Sequence, residues 1–263
     1  MLATIHHPAT APQAGVPPLV IVHGLYGSAR NWGVIAKRLA DIRDVITVDQ
    51  RNHGQSPWAD SHSYPDMAAD LAEVITAIGQ PVDLLGHSMG GKTAMQLALT
   101  QDRFSNQPLI RRLILGDIAP VAYGHDQTQY ARAMQAVDLT GLTSRGEAEA
   151  RLAEHLDDAA LRAFFLQSLE LRGEGAPRWR LNLKVLEREM ANVVGWPDTQ
   201  GRFDGPTLFL SGANSHYVRS EHRDHIRALF PHARFAKIPG AGHWLHAEKP
   251  REFEETVRVF LTT

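Results

Sequence analysis

The sequence predicts an α/β fold, with a mostly parallel central sheet flanked by helices and a helical cap inserted into it. Short apolar runs recur along the chain, helix-like segments separate them, and the stretch 121–200 breaks this alternation. The chain has 263 residues, which is enough for one large domain or for a domain with an insertion.

The apolar runs are the predicted strands. Continuous apolar runs of this length are typical of strands covered on both faces, as in a parallel sheet. Between them, Trp32, Ile35 and Leu39 share one helical face, and Met67 and Leu71 share another. The runs are PLVIVHG (18–24), DVITVDQR (44–51), PVDLLGHS (81–88), RRLILGDIAP (111–120), PTLFLSGANS (206–215) and ARFAKIPGAGH (233–243).

The stretch 121–200 is the predicted insertion, and 1–120 with 201–263 form the predicted core. Three of its segments have helical patterns, and RWRLNL alternates apolar and polar residues as an extended segment does. We expect this insertion to cap an active site, the alternative being an ordinary helical layer. The helical segments are YARAMQAVDL, EARLAEHL and DAALRAFFLQSLEL.

Composition excludes several classes of function. The net charge of −2 gives no concentrated positive field for nucleic acid or an anionic membrane. With no cysteine, the chain has no disulfide, thiolate metal site or cysteine nucleophile, and it lacks an HExxH metal motif. The first residues lack signal-peptide features, His6 and His7 are expected in a solvated terminus, and no apolar run reaches membrane-spanning length. We therefore expect a cytoplasmic protein without a membrane span.

One pentapeptide indicates a nucleophile. Gly86-His87-Ser88-Met89-Gly90 follows a predicted strand and precedes a predicted helix. In that context the glycines permit a tight turn that projects the serine from the carboxyl edge of the sheet. A serine hydroxyl also needs a base and donors for the developing oxyanion. We expect the backbone amides of Met89 and Leu25 to be those donors, the alternative being that His23-Gly24 forms only a structural turn.

The base is expected late in the chain, and the acid is not in its usual place. His243 follows the Gly-Ala-Gly loop directly, whereas His246 is expected to open the next helix. After the next-to-last strand, Ser215 stands where an aspartate is expected, and serine cannot carry the charge that stabilises an imidazolium. Asp117 ends the preceding strand, so we expect it to be the acid. The alternative for Asp117 is a helix cap or turn aspartate.

These motifs together resemble the α/β-hydrolase superfamily and, more narrowly, its small YbfF-type esterases and thioesterases. The resemblance covers nearly the whole chain and is weakest over 140–175. In that group the acid follows the earlier strand, which corresponds to Asp117. The motifs are HGLYGSARNW, VDQRNHGQS, GHSMGGKTAM, GDIAPVAY, GANSHYV and IPGAGHWLHAEKP.

The resemblance implies a serine hydrolase that cleaves carboxylic esters or thioesters through an acyl-enzyme intermediate, without metal or organic cofactor. Three alternatives stay open. A cofactor-free haloperoxidase or a carbon–carbon bond hydrolase would use the same triad, and a receptor of this fold would bind without catalysis. Ser215 is the feature that favours the binding protein, and the intact Ser88 and His243 oppose it.

The substrate is expected to be a small ester or thioester, with acyl-CoA left open and no oligomeric state predicted. Arginines of the insertion, such as Arg178 and Arg180, could favour an anionic leaving group, although a solvated face explains them as well. Lys92, one turn into the helix after Ser88, is expected to form a buried ion pair with the cap or to lie at the surface. The aromatic and apolar residues expected to line an acyl pocket are Tyr123, Phe164, Phe165, Trp179 and Leu181.

Overall fold

A computed structural model describes residues 1–172 and 175–262. Its central sheet has seven strands in the order β1-β3-β2-β4-β5-β8-β9, and neighbouring strands are parallel except β1 and β3. The strands are β1 (Thr4–His7), β2 (Leu19–Val22), β3 (Val45–Val48), β4 (Val82–His87), β5 (Ile110–Gly116), β8 (Thr207–Gly212) and β9 (Ala233–Ile238). A separate hairpin consists of β6 (Leu169–Glu170) and β7 (Arg178–Trp179). The mostly parallel sheet is confirmed.

Burial explains why the apolar runs form the centre of this sheet. Every residue of β2, β4 and β8 is buried, because helices cover both faces. β1 differs: its residues are exposed or half-buried, and it pairs antiparallel with β3 at the edge. His6 is exposed and His7 half-buried, in keeping with the expected solvated terminus, but the two residues belong to a strand that the sequence did not predict. The residues of an exposed edge strand need not be apolar, so such a strand leaves no run of apolar residues in the sequence.

Helices lie on both faces of the sheet. Ile35 of α1 and Phe253 of α11 share one apolar cluster, and Leu71 of α2 and Met95 of α3 share the other. The α-helices are α1 (Gly33–Leu39), α2 (Tyr64–Ile78), α3 (Met89–Thr100), α4 (Thr128–Ala136), α5 (Arg145–Ala153), α6 (Ala159–Phe165), α7 (Leu183–Arg188), α8 (Met190–Val194), α9 (Arg223–Leu229), α10 (Leu245–Glu248) and α11 (Pro250–Thr262). Among the described residues, none of them is long and apolar enough to span a membrane.

Helices α4 to α8 and the β6–β7 hairpin intervene between β5 and β8. Their apolar residues, such as Met134 and Leu152, form a third cluster that also includes Tyr26 and Met89 of the core. The segment expected to be extended pairs as a strand at Arg178–Trp179 and bridges His53 at Leu181, and α7 begins at Leu183. The intervening segment therefore packs directly over the turn that carries Ser88.

Candidate active site

Ser88 lies in the tight turn between β4 and α3. Its backbone has φ 53° and ψ −122°, which is unfavourable for a residue with a side chain. A Cβ atom added at Gly86 would lie 2.3 Å from the Gly90 carbonyl oxygen, and one at Gly90 would lie 2.4 Å from that of His23. The two glycines thus allow the first turn of α3 to pack directly against the ends of β2 and β4. The tight turn holds Ser88 at the carboxyl edge of the sheet.

The structure brings Ser88, His243 and Asp117 into one chain of hydrogen bonds. The distance from Ser88 Oγ to His243 Nε2 is 3.1 Å, and that from His243 Nδ1 to Asp117 Oδ2 is 2.7 Å. The tautomer follows from these partners: Nδ1–H donates to the carboxylate, and Nε2 accepts from the hydroxyl. Asp117 is fully buried, whereas His243 is partly exposed. This is the geometry of a nucleophile, a base and an orienting acid.

The sheet explains why three residues so distant in sequence meet. Parallel strands end at the same edge, and Ser88, Asp117 and His243 each follow one of them. The Asp117 amide donates to the Leu210 carbonyl of β8 at 2.8 Å, which fixes the acid against its neighbour. His87 Nε2 donates to the His243 carbonyl at 2.9 Å, and burial lowers the pKa of His87 well below its usual value. The neutral side chain of His87, the residue before Ser88, thus holds the backbone of His243 in place.

Ser215, at the position where the acid is usually found, contacts the acid itself. Its Oγ donates to Asp117 Oδ2 at 2.5 Å and accepts from the Tyr217 amide at 3.3 Å. The Tyr217 ring stacks on His243 with the ring centroids 4.1 Å apart. Sequence reasoning did not assign a function to either residue. The structure gives both a direct contact with the proposed acid or base.

The proposed oxyanion donors lie beside the nucleophile. Leu25 and Met89 both border the small cavity that Ser88 borders. Within the described part of the chain, neither of their amides donates to a protein acceptor. Met89 is the first residue of α3, where backbone amides have no partner within the helix. Both amides are therefore available to a substrate oxygen.

A buried histidine holds the loop that carries Leu25. His53 Nε2 accepts from the Tyr26 amide at 3.1 Å, and its Nδ1 donates to the Arg51 carbonyl at 2.9 Å. Burial lowers the pKa of His53 well below its usual value, which keeps Nε2 free to accept. Tyr26 has φ 61°, so its amide is fixed in an unusual orientation. Sequence reasoning missed His53, although the histidine-glycine pair in RNHGQS marks the loop.

Two cavities meet at Ser88. The larger has a volume of about 270 Å³ and is bordered by Phe164, Phe165 and His243. The smaller has about 30 Å³ and is bordered by Tyr123.

The expected pocket residues therefore divide into two groups. Phe164 and Phe165 line the larger cavity, and Tyr123 lines the smaller. Trp179 and Leu181 line neither, which corrects the expectation. Both are buried in the apolar cluster of the intervening helices. The expectation was based on the size of these side chains, and size alone does not tell which side of a segment faces a cavity.

Lys92 is buried, and it forms no ion pair with any residue that the structure describes. Its Nζ donates to the carbonyls of Val194 at 3.0 Å and Gly195 at 2.5 Å, and it lies 4.7 Å from the Tyr123 ring centroid. The expected burial and contact with the insertion are confirmed, whereas the ion pair and the alternative of a surface position are wrong. Burial lowers the pKa of Lys92 to about 7.

His246, the other late histidine, lies within α10 as expected. It stacks on Trp32 with the ring centroids 4.1 Å apart, and burial lowers its pKa to about 3. His243, and not His246, is hydrogen-bonded to Ser88. Across the described residues, no group of three or more histidine or acidic side chains is placed to hold a metal ion.

Known proteins share this arrangement of sequence and fold. The family model for the alpha/beta hydrolase fold matches residues 17–250. The esterase YbfF of Escherichia coli is 41% identical over 251 residues, which are 93% of this chain and 92% of that protein. The sn-1-specific diacylglycerol lipase ABHD11 of Mus musculus is 39% identical over 257 residues, which are 94% of this chain and 82% of that protein.

A solved structure agrees with these relatives. An esterase from a marine microorganism superposes with a TM-score of 0.89 at 36% identity and covers 98% of both chains. The resemblance to YbfF-type proteins inferred from the motifs is confirmed. This chain belongs to the α/β-hydrolase family.

Proposed function

We propose that this chain is a serine hydrolase that cleaves carboxylic esters through an acyl-enzyme intermediate. The hydrogen-bonded chain from Ser88 through His243 to the buried Asp117, open to a cavity, carries the proposal. The relatives support it, because the Escherichia coli protein is named an esterase and the mouse protein a diacylglycerol lipase.

In the proposed first step, Ser88 Oγ attacks the ester carbonyl while its proton passes to His243 Nε2. The amides of Leu25 and Met89 hold the oxyanion, and Asp117 stabilises the imidazolium. Collapse of the tetrahedral intermediate breaks the bond to the leaving oxygen, which takes the proton from Nε2. Water activated by His243 then hydrolyses the acyl-enzyme and restores Ser88. The same steps apply to a thioester, for which the leaving atom is sulfur.

We also propose that 121–200 acts as the cap, with 1–120 and 201–263 as the core. Phe164 and Phe165 of this stretch border the cavity above Ser88, which supports a function in selecting the substrate. The contact of Ser215 with Asp117 weakens the alternative of a binding protein without catalysis. Ser215 replaces the usual acid, and its hydroxyl donates a hydrogen bond to Asp117, the proposed acid.

The test is hydrolysis of 4-nitrophenyl acetate by the parent, Ser88→Ala and Ser220→Ala. Ser220 is exposed and outside the site, so its variant controls for loss of a hydroxyl. We expect the parent and Ser220→Ala to be active and Ser88→Ala to be inactive. Mass spectrometry after treatment with ethyl 4-nitrophenyl methylphosphonate should find one adduct, on Ser88. An active Ser88→Ala variant, or no adduct and no hydrolysis in the parent, would contradict the proposal.

A further inference from the structure

The two cavities that meet at Ser88 differ in which part of the proposed machinery they contain. Both are bordered by Ser88 and Leu25, but among the described residues His243 borders only the larger one. The oxygen of a leaving group must lie within reach of His243 Nε2, because it takes its proton from there. The leaving group therefore belongs in the larger cavity, and the acyl group points the other way, into the smaller one.

The smaller cavity limits the acyl group by size. Its volume of about 30 Å³ is roughly the space of two water molecules, and the larger cavity has about 270 Å³. Its wall on one side is the end of α8, including Val193 and Val194. Only a two- or three-carbon acyl group fits without displacing that wall.

The wall is fixed by buried side chains of the core. Tyr64 Oη donates to the Val193 carbonyl at 2.5 Å, and Lys92 Nζ donates to the next two carbonyls, those of Val194 and Gly195. Tyr64 lies on α2 and Lys92 on α3, so two core helices hold three successive carbonyls. A backbone held in this way cannot retreat easily from a longer chain. Lys92 is thus a positioning residue for the wall of the cavity.

The larger cavity indicates the chemistry of the leaving group. Leu161, Phe164, Phe165 and Trp244 supply apolar and aromatic surface. In the described part of the chain no lysine or arginine borders this cavity, and the carboxylate of Asp158 does. An anionic leaving group would meet a like charge here and no cation, whereas a neutral aromatic or apolar alcohol would find matching surface.

From these observations, and resting on the proposed function, we propose that the substrates are short-chain acyl esters of neutral, bulky, apolar alcohols, with the acyl group in the cavity bounded by Val194 and the alcohol in the cavity bounded by Phe164.

A matched set of variants tests the assignment of the two cavities. Val194 also borders an open cavity of about 640 Å³ on its far side, so Val194→Ala should join the two spaces. Phe164→Ala enlarges the other cavity. Val259→Ala is the control, because Val259 is exposed on α11, away from the site. The measurement is kcat/KM for 4-nitrophenyl acetate and octanoate, and for phenyl and 1-naphthyl acetate, whose leaving phenols have similar basicity.

The expected result is a parent that prefers acetate to octanoate at least about tenfold, because one methylene too many in a tight apolar pocket is worth that much. Val194→Ala should lower this acyl preference about tenfold, while Phe164→Ala should change only the ratio between the naphthyl and phenyl esters. Val259→Ala should match the parent. A parent without acyl preference, or a preference altered by Phe164→Ala and not by Val194→Ala, would overturn the assignment. Faster hydrolysis of acetyl-CoA than of S-phenyl thioacetate would overturn the neutral leaving group.

A second measurement uses the parent alone and so does not depend on the folding of a variant. The alkyl group of a 4-nitrophenyl phosphonate occupies the acyl position when the reagent labels a serine. We expect ethyl 4-nitrophenyl methylphosphonate to label Ser88 at least about tenfold faster than its octylphosphonate counterpart. Equal rates would overturn this inference and leave the serine hydrolase intact. No labelling by either reagent would overturn both.

Discussion

Two fully buried aspartates lie at opposite edges of the sheet, and their partners differ. Asp83 is the second residue of β4, at the amino edge, and its carboxylate pairs with buried Arg43 at 2.6 Å. Asp117 follows β5 at the carboxyl edge and contacts His243 and Ser215. Each has one carboxylate oxygen that lacks a hydrogen-bond partner among the described residues.

The difference lies in whether the partner can change its charge. An arginine side chain does not take part in proton transfer in proteins, so the pair of Arg43 with Asp83 acts on stability. Burial raises the pKa of Asp83, although Arg43 works in the opposite direction. In the proposed mechanism His243 is neutral or cationic according to the reaction step, so Asp117 would act on the step in which the charge develops. A buried carboxylate therefore indicates chemistry only when its partner can gain and lose a proton.

The largest expected effect separates the two aspartates by activity. Asp117→Asn should lower kcat/KM by about 10⁴-fold, because a neutral amide neither fixes the tautomer of His243 nor stabilises its cation. The melting temperature should change little, since the amide keeps the size of the side chain. Ester hydrolysis and thermal unfolding measure the two quantities. Activity comparable to that of the parent would refute Asp117 as the acid.

The second prediction is the converse. Asp83→Asn should lower the free energy of unfolding by about 3–5 kcal/mol, because it leaves Arg43 charged and buried without a counter-ion. The folded enzyme should keep the parent's kcat/KM. The double variant Arg43→Met with Asp83→Leu is the control and should regain most of the lost stability in urea titrations. A loss of activity without loss of stability would remove the distinction between the two edges.

A smaller effect is expected from Ser215→Ala. This change deletes one hydrogen bond to the Asp117 carboxylate, and a bond to a charged group is worth about 1.5–3 kcal/mol. We expect kcat/KM to fall roughly tenfold and the melting temperature to fall by a few degrees, because the bond also contributes to the stability of the fold. Ser220→Ala is the matched control. An unchanged kcat/KM would show that Asp117 is fixed well enough without the hydroxyl.

The smallest effect concerns Lys92, a buried amine that has no carboxylate partner among the described residues. Its pKa is about 7 in the folded chain, against 10.5 for an ordinary lysine. Between these values the unfolded chain binds the proton that the folded chain lacks, so folding becomes more favourable as pH rises. Between pH 7 and 8, the free energy of unfolding of the parent should rise relative to that of Lys92→Met by about 1 kcal/mol. Parallel pH curves for the two proteins would contradict the neutral lysine.

The sequence predicted the buried strands and the residues at their ends for a common reason. A strand covered on both faces must be apolar, so its end is visible in the sequence, and the parallel fold brings such ends together. Ser88, Asp117 and His243 could be named on that basis. β1 could not, because half-exposed edge residues leave no such pattern.

The partners of Lys92 were unpredictable for another reason. They are backbone carbonyls about a hundred positions away, and every residue has a carbonyl, so no side chain marks them. The contact of Ser215 with Asp117 could have been anticipated, since both follow neighbouring strands. It was missed because the residue was considered only as a replacement for an acid.

Four non-glycine residues in the described chain have positive φ angles: Tyr26, Asn52, Ser88 and Asp117. Ser88 and Asp117 belong to the proposed machinery, Tyr26 follows Leu25, and Asn52 precedes His53, which holds the Tyr26 amide. Such backbone conformations cost about 1–3 kcal/mol apiece. The strained backbone at the proposed site therefore lowers the stability of the fold in exchange for the geometry that the reaction needs. Substitutions that relax these turns should raise the stability of the fold and lower the reactivity of the proposed site.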